Sequence, residues 1–330
     1  MPFSSVVGHT RLIDLLKHAV DRKRVPQSLL FSGPDGVGKH AMAIALAQAV
    51  NCPKRKNGDA CGACPTCTRI AKGQHSDVTE IDRGDFASIK IEVLRERLLD
   101  VIGYRPFEAE RRVYIIDPAD EITDQAQNAL LKTLEEPPPA AIIILVSAYA
   151  DTILPTVRSR CRRLRFAALA DQDVARVLVE RAGVDKTKAR ALAAVAAGSV
   201  SRALAEQSGD LEDDRDAAVA LLQAARGRQV MPRLKAAAAL AKHDSDRRDR
   251  EALGARLSIV QAMLRDISLV HANAGASISP AEDEAAMREL ASAFDLPRAT
   301  AGFAVVERAH EALARNASPK IVADWVAVTL

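Results

Sequence analysis

The sequence has few aromatic side chains, no long apolar run and nothing that resembles a leader peptide. Phenylalanine, tyrosine and tryptophan together make up 3% of the 330 residues, so stacking of exposed bases on aromatic platforms is not expected as the main activity. No apolar run is long enough to span a bilayer, and no basic segment precedes an apolar one at the N-terminus. We therefore expect no membrane partner and a cytoplasmic location.

Strong net charge and a disulfide framework are also lacking. The 46 basic and 43 acidic residues leave a net charge of +3, which permits contact with nucleic acid but does not predict it. The chain has five cysteines, and four of them lie between Cys52 and Cys67, which is not the pattern of a disulfide scaffold. With 48% hydrophobic and 27% charged residues, the composition is typical of a soluble globular protein with two or three domains.

Short apolar runs alternate with helical stretches in the first half of the chain. This alternation predicts an α/β fold with a parallel sheet covered by helices on both faces. The predicted strands are residues 28–32, 78–82, 113–117 and 141–147, with a shorter one at 163–166. After residue 166 the strand signals stop and helical patterns continue. We expect an α/β domain over residues 1–166, a small helical domain over 167–207 and a larger helical domain over 208–330.

One helix of the last domain has a clear apolar face. Its apolar residues recur at spacings of four and three, which places them on one side of a helix. They are Leu253, Leu257, Val260, Leu264 and Ile267. Such a face belongs either to the domain core or to a subunit interface, and the core is the simpler interpretation.

A phosphate-binding loop is predicted directly after the first strand. Gly33, Gly38 and Lys39 have the G-x-x-x-x-G-K spacing, and an alanine-rich helix follows them. Gly36 and Pro34 complete a loop whose backbone N–H groups can surround phosphate, while the lysine reaches the β and γ oxygens. The alternative is an ordinary glycine-rich turn before a helix. The strand, loop, lysine and helix in this order favour ATP or ADP as the ligand.

Two positions depart from the pattern of hydrolysing P-loop proteins. The residue after the lysine is normally Ser or Thr, whose hydroxyl binds Mg²⁺; here it is His40, and imidazole is a poor ligand for that hard ion. Asp117 closes a buried strand, as expected of a carboxylate that holds Mg²⁺, although it could instead cap the next helix. Pro118 then stands where a glutamate usually activates water, and Asp120 is a poor substitute. Since losing a general base costs about 10²–10⁴ in rate, we expect weakened hydrolysis.

A four-cysteine cluster interrupts the predicted α/β domain at about residues 51–70. Cys52, Cys61, Cys64 and Cys67 have the spacing C-x₈-C-x₂-C-x₂-C, with glycines and prolines that allow the necessary turns. Four thiolates fit a closed tetrahedral Zn²⁺ site, which has a structural role because no coordination position is open. The alternatives are scattered thiols or an iron–sulfur cluster.

These motifs together resemble the clamp-loader branch of AAA+ proteins, and within it the delta-prime subunits of bacterial DNA polymerase III. The zinc spacing and the string Asn-Ala-Leu-Leu-Lys-Thr-Leu-Glu-Glu-Pro-Pro at 128–138 carry the resemblance, as does Ser-Arg-Cys at 159–161. The resemblance implies that Arg160 is an arginine finger that reaches into a neighbouring subunit's ATP site. It also implies a sensor role for Ser147 and a second sensor role for Arg202.

The resemblance implies a layout and a set of partners. The implied layout comprises a RecA-like AAA+ P-loop domain with an inserted zinc module, a helical lid and a helical collar that assembles a hetero-pentamer. The partners would be gamma/tau ATPase and delta subunits, and through the complex the sliding clamp and primer–template DNA. Delta-prime members hydrolyse ATP weakly or not at all and still donate their arginine. We therefore expect a stator subunit that helps to load the clamp in DNA replication.

Two rival functions remain open at this point. The chain could be an active gamma/tau-type ATPase motor in which Asp120 or a shifted water replaces the missing base. It could also be a zinc-dependent DNA-binding module, gripping DNA with the cysteine loop and the basic run at residues 54–56, although a solvated charge run is the simpler interpretation of that run. Turnover by the purified chain tests the first, and a steep salt dependence of DNA binding tests the second.

Overall fold

The computed structural model describes most of the chain as two compact units. The described residues are 1–84, 86, 88–207, 210–227, 229–241, 246–271, 290–314 and 317–330. The first unit comprises Met1–Ala189 with Ala196–Ser201, and the second comprises Arg190–Val195 with Arg202–Leu330. The predicted boundary residue Ser208 lies outside the described residues, and the three-domain division stays a prediction. Across the described ranges, no helix is both long and apolar enough to cross a membrane.

A five-stranded parallel sheet forms the centre of the first unit. Its strands are β1 (Ser28–Ser32), β2 (Val78–Ile81), β3 (Arg112–Ile116), β4 (Ala141–Ser147) and β5 (Arg162–Arg165). All neighbouring pairs are parallel, in the order β2-β3-β4-β1-β5. Every residue of β1 and β4 is buried, because helices cover both faces of a parallel sheet. The predicted α/β fold is confirmed.

The carboxyl ends of the strands meet at one edge of the sheet, which we call the carboxyl edge. The register pairs Ser32 with Ser147 and Ile116 with Leu145, so β1, β3 and β4 end side by side. The opposite side, where the strands begin, is the amino edge. The chain leaves β1 for the distant strand β2 and later returns to both sides of β1. In sheets of this kind, ligands bind at the carboxyl ends of the strands where the order reverses.

Helices connect the strands and cover the sheet. They are α1 (Thr10–Asp21), α2 (Lys39–Asn51), α3 (Pro65–Ala71), α4 (Ile91–Leu94), α5 (Asp124–Glu135), α6 (Pro155–Arg158) and α7 (Asp171–Ala182). Nearly all of α2 is buried, and its alanines suit this position because small side chains allow neighbouring elements to pack closely. Leu30, Tyr114, Ile143 and Leu130 belong to one apolar core between the sheet and its covering helices.

The described residues that follow α7 form helices, as predicted. These helices include α8 (Lys186–Val195), α9 (Val200–Gln207), α10 (Asp210–Arg226), α11 (Val230–Leu240), α12 (Asp246–His271), α13 (Leu296–Ala314) and α14 (Pro319–Thr329). Leu253, Leu257, Val260, Leu264 and Ile267 on α12 are completely buried within the core of the second unit. The interpretation of this apolar face as core is therefore confirmed.

Candidate functional site

The glycine-rich loop lies at the carboxyl edge, between β1 and α2. Gly36 and Gly38 have φ values of +71° and +96°, in the region that favours glycine. A Cβ at Gly36 would lie 2.2 Å from the Ser199 Oγ, whereas a Cβ at Gly38 would meet nothing within 4 Å. The Gly33 N–H donates to the Ser147 carbonyl at 3.3 Å. The loop is therefore packed tightly at its first glycines and open at its last.

The loop borders a cavity of about 300 Å³ in the first unit. Predicted site residues that line it are Gly36, Gly38, Lys39, His40 and Asp117. Their side chains and backbone come from α2, the preceding loop and the end of β3, which the strand order brings together. The size is at the lower end of the range for small-molecule sites.

Three predicted residues lie beside this cavity without lining it: Gly33, Pro34 and Ser147. The Ser147 hydroxyl is buried and has no hydrogen-bond partner among the described residues. Arg202, the predicted second sensor, belongs to the second unit.

Lys39 turns its ammonium group onto its own loop. Its Nζ donates to the Gly33 carbonyl at 2.8 Å and to the Pro34 carbonyl at 2.6 Å, and the residue is 5% exposed. Burial lowers the pKa of Lys39, and the negative charges of Asp35 and Asp117 oppose that change. An ammonium group has three N–H donors, so one donor beyond these two contacts can serve a phosphate oxygen.

The imidazole ring of His40 bridges two carboxylates. Its Nδ1 lies 2.9 Å from the Asp117 Oδ2 and its Nε2 lies 3.3 Å from the Glu80 Oε2. A neutral imidazole has only one N–H, so donation to both carboxylates requires the protonated ring. The hydrogen bond with Asp117, followed by the one with Glu80, raises the pKa of His40 to about 10. His40 is therefore a cation at neutral pH.

The residues around Asp117 do not fit the Mg²⁺ ion that the resemblance implies. The hydroxyl that normally follows the P-loop lysine is replaced by an imidazole, which is an unsuitable ligand for Mg²⁺. The Asp117 Oδ2 and the Glu80 Oε2, which are the kind of oxygen this ion prefers, are already engaged by the ring.

The cavity also lacks an obvious base beside Asp117. The next residue is Pro118, and the carboxylate of Asp120 accepts a hydrogen bond from the Ala148 backbone N–H at 2.9 Å. That contact fixes Asp120 to the end of β4, and Asp120 does not line the cavity. The arrangement can bind an anion through Lys39 and backbone N–H groups. Of the two carboxylates that line the cavity, Asp117 is engaged by His40 and Asp35 belongs to the glycine-rich loop itself.

Arg160 lies at the amino edge, in the short connection between α6 and β5. Its Nε donates to the Glu135 Oε1 at 2.7 Å, a second contact joins its Nη2 to the same oxygen, and its Nη1 donates to the Thr156 carbonyl at 2.8 Å. The side chain is 32% exposed. The length of β1, five residues at about 3.3 Å each, separates this edge from the glycine-rich loop.

The four cysteines converge as predicted. Their sulfur atoms lie within 4.8 Å of one another, with 3.6 Å between Cys52 and Cys61 and 3.9 Å between Cys52 and Cys64. Four sulfur ligands at about 2.3 Å from a tetrahedral ion would be about 3.8 Å apart. The set, completed by Cys67, therefore fits a closed tetrahedral metal site.

Backbone N–H groups point at the cluster sulfurs. The Cys64 N–H donates to the Cys61 sulfur at 3.3 Å, and the Cys67 N–H donates to the Cys64 sulfur at 3.5 Å. Hydrogen bonds from Ala63 and Cys64 lower the pKa of Cys61 to about 6, whereas burial raises the pKa of Cys52 and of Cys67. A bound cation would offset the cost of burying these thiolates.

The cluster loop is fixed to the rest of the first unit at the amino edge. Asn51, at the end of α2, exchanges two hydrogen bonds with the backbone of Arg111, the residue before β3. The Asp59 carboxylate accepts from the Phe3 and Ser4 backbone N–H groups at 2.8 and 3.0 Å. The loop is therefore an ordered part of the α/β unit.

Three side chains of the site were not predicted from the sequence. Glu80 holds His40, Glu135 holds Arg160, and Arg181 lines the cavity. Glu80 lies on the edge strand β2, and only the strand order brings it to His40. Glu135 lies within the string 128–138, but no spacing rule links it to Arg160.

Comparisons with known proteins give a consistent family. A family model described as "DNA polymerase III, delta subunit" matches residues 8–170. The DNA polymerase III subunit gamma of Buchnera aphidicola is 32% identical over 61% of this chain and 56% of its own length. Subunit tau of Bacillus subtilis is 37% identical over 52% of this chain and 30% of its own. Subunit tau of Escherichia coli is 32% identical over 72% of this chain and 40% of its own.

The chain thus spans about half, or less, of the length of these relatives. A solved DNA polymerase III gamma subunit-related protein of Thermotoga maritima aligns with 91% of this chain and 99% of its own, at 18% identity and a TM-score of 0.41. The family assignment rests on the sequence matches and not on that alignment. The matched residues include the glycine-rich loop, the cysteine cluster, Asp117 and Arg160. The chain is a member of the clamp-loader family of AAA+ proteins.

Proposed function

We propose that this chain is a delta-prime-type stator subunit of a DNA polymerase III clamp loader. It hydrolyses ATP weakly or not at all, and it donates Arg160 to the ATP site of a neighbouring gamma/tau subunit. With gamma/tau and delta subunits it forms a hetero-pentamer that loads the sliding clamp onto primer–template DNA during replication.

The observation that carries this proposal is the separation of Arg160 from the chain's own cavity. The glycine-rich loop lies at the carboxyl edge and Arg160 lies at the amino edge, with the length of β1 between them. Arg160 is therefore poorly placed to act on a nucleotide held by its own chain. Action on a nucleotide held by an adjacent subunit, which the family resemblance implies, is consistent with this separation.

The chemistry of Arg160 suits that role. A guanidinium group is planar, always charged and able to donate several hydrogen bonds to the oxygens of one phosphoryl group. In the free chain the Glu135 carboxylate takes the place of such an anion. In the assembly the partner's γ-phosphate would replace this carboxylate and gain stabilisation as charge spreads onto its oxygens.

The test is ATP turnover by the reconstituted complex with Arg160→Ala. Turnover at the site that this arginine serves should fall about 10³-fold or more, while the chain still folds and assembles. Arg158→Ala is the matched control, because Arg158 lies two residues away and also pairs with an acid, Asp151. Unchanged turnover with Arg160→Ala would refute the proposal.

We further propose that the cysteine cluster holds a structural Zn²⁺ ion. The cluster has four sulfur ligands, so it leaves no position for substrate. Zinc content of the purified chain, measured by elemental analysis, should be one ion per chain and should be lost in Cys64→Ser. An iron signal or a visible charge-transfer band would instead indicate an iron–sulfur cluster.

A gamma/tau-type motor is the second candidate, because the relatives above carry the names gamma and tau. The contact of Asp120 with Ala148 and the proline at position 118 oppose it. Turnover by the purified chain with DNA and Mg²⁺ separates the two, since a motor should cycle and a stator should not.

The zinc-dependent DNA module has less support. Within the basic run at residues 54–56, the Arg55 guanidinium donates to the Glu110 carboxylate and to the Val50 carbonyl, each at 2.9 Å. Arg55 therefore has partners within its own chain. A shallow salt dependence of DNA binding by the isolated chain is the expected result.

A further inference from the structure

The contacts of His40 place a cation where P-loop proteins hold a metal ion. His40 directly follows the P-loop lysine, the position whose hydroxyl ordinarily binds Mg²⁺. Its ring lies within hydrogen-bond distance of Asp117, at the end of β3, and of Glu80, on β2. The two contacts use opposite sides of the ring, so the carboxylates lie on either side of a flat organic cation.

We propose that the His40 side chain takes the position of the metal ion, so that this pocket binds a nucleoside di- or triphosphate without a divalent cation. The inference rests on the expectation that the glycine-rich loop binds phosphate in a chain with the proposed function. It goes further because it names the form of the ligand: the free nucleotide and not its Mg²⁺ complex.

The charges around the cavity are consistent with that ligand. Acidic groups near the loop are Asp117, Glu80, Asp35 and Asp120, and Mg²⁺ would ordinarily offset such charges next to phosphate. Here the protonated ring supplies one positive charge between two of the acids. Lys39 and Arg181, which both line the cavity, supply two more, and the start of α2 adds the partial positive charge of a helix N-terminus.

Geometry also explains why the ion is excluded. For Mg²⁺ to bind, the ring would have to leave both carboxylates, and no hydroxyl stands at this position to complete an oxygen ligand set. Replacing His40 by serine removes the ring and restores the hydroxyl. Replacing it by alanine removes the ring without adding a hydroxyl. Comparison of the two variants therefore distinguishes exclusion of Mg²⁺ by the ring from the lack of a hydroxyl ligand.

The experiment is calorimetric titration of the full chain with ADP and ATP in buffer freed of divalent ions by a chelating resin, with and without added MgCl₂. A soluble chelator is avoided because it would strip the cysteine cluster, and zinc content is checked after each titration. The variants are His40→Ser and His40→Ala. His18→Ser, which changes an exposed histidine on α1, is the matched control.

The wild type and the control should bind no more tightly when MgCl₂ is added, and the apparent Kd should rise as the ion converts free nucleotide to its Mg²⁺ complex. For His40→Ser, Mg²⁺ should tighten binding about tenfold or more, which corresponds to about 1.4 kcal/mol, and His40→Ala should show a smaller gain in the same direction. A tenfold tightening of the wild type by Mg²⁺ would overturn the inference, and so would a His40→Ser variant that is indifferent to the ion.

Failure to bind nucleotide in either buffer would also overturn it. That result would leave the stator role untouched, because the role is tested separately by the turnover of the assembled complex with Arg160→Ala.

Discussion

The two edges of the parallel sheet differ in what their charged residues contact. At the carboxyl edge, Lys39, His40 and Asp117 surround a cavity, and the cations there are matched to carbonyls and carboxylates of the same pocket. At the amino edge, Arg160 is 32% exposed and is held by a single carboxylate, Glu135, and by backbone. At the carboxyl edge the charged groups pair with groups of the same pocket. At the amino edge the Arg160 guanidinium group is partly exposed, so an anion from outside the chain can reach it.

Under the proposed function, this difference would let one fold keep a nucleotide pocket and depend on a neighbour for chemistry. Catalysis of phosphoryl transfer needs a placed metal, an oriented water and stabilising cations. The carboxyl edge has the glycine-rich loop, with His40 and Pro118 at the positions where hydrolysing P-loop proteins have the metal ligand and the base. Under the proposed function, the amino edge supplies the cation Arg160 to a nucleotide held by another subunit.

Loss of the cysteine cluster should have the largest effect and should leave the carboxyl edge intact. We expect Cys64→Ser to lower the free energy of unfolding by more than about 3 kcal/mol, while the ADP affinity stays within twofold, about 0.4 kcal/mol. Denaturant unfolding and nucleotide titration measure the two quantities. Cys161→Ala, at the one cysteine outside the cluster, is the control. If ADP affinity falls together with stability, the two edges are coupled.

Lys39→Ala should impair the carboxyl edge and leave the amino edge intact. Removing a charged donor should raise the Kd for ADP by about 10- to 100-fold, because the ammonium group is the cavity's principal cation. Turnover of the assembled complex should stay near that of the wild type, since Arg160 is unchanged. A loss of turnover as deep as that of Arg160→Ala would show that the chain's own pocket takes part in catalysis.

The charge of His40 gives the carboxyl edge a pH dependence. Its pKa is about 10 in the folded chain against 6.5 as the reference value, so the folded state holds the proton more tightly. The stability that this contributes is complete below pH 6.5 and is lost as the pH rises through 10. Thermal unfolding of the wild type and of His40→Ala should therefore differ most near pH 6.5 and converge toward pH 10. A constant difference would contradict the bridged, protonated ring.

Glu135→Gln should have the smallest effect. The ion pair is partly exposed, with Glu135 at 48%, and such pairs contribute about 0.2–1 kcal/mol. The Thr156 carbonyl continues to hold the guanidinium group, so turnover of the assembled complex should change less than about fivefold, about 1 kcal/mol. A larger change would mean that Glu135 positions Arg160 for catalysis and does not merely hold it in the free chain.

Local patterns predicted the fold well. The strands 28–32 and 141–147 match β1 and β4 because each contains a continuous apolar run, at residues 29–31 and 141–146, that ends at a serine. The other strands differ from the prediction by one residue: β3 and β5 each begin and end one residue earlier than predicted, and β2 ends one residue earlier. The cysteine cluster was also predictable, since all four ligands lie within one short loop.

Long-range contacts were not predictable in the same way. The contact of His40 with Glu80 depends on which strand lies beside β3, and the contact of Arg160 with Glu135 joins a helix end to a loop 25 residues later. The resemblance implied a sensor role for Ser147, but its hydroxyl is buried and the residue does not line the cavity. Side-chain direction at a strand end depends on packing that the sequence pattern does not reveal.

The most direct measurement is ATP turnover by the purified chain alone, in the presence of DNA and Mg²⁺, compared with the same chain carrying Lys39→Ala. A pocket with a glycine-rich loop but neither the Mg²⁺ ligand nor the general base should release no more phosphate than the Lys39→Ala variant does. Sustained release of many phosphates per chain, abolished by Lys39→Ala, would contradict the account and would make this chain a motor.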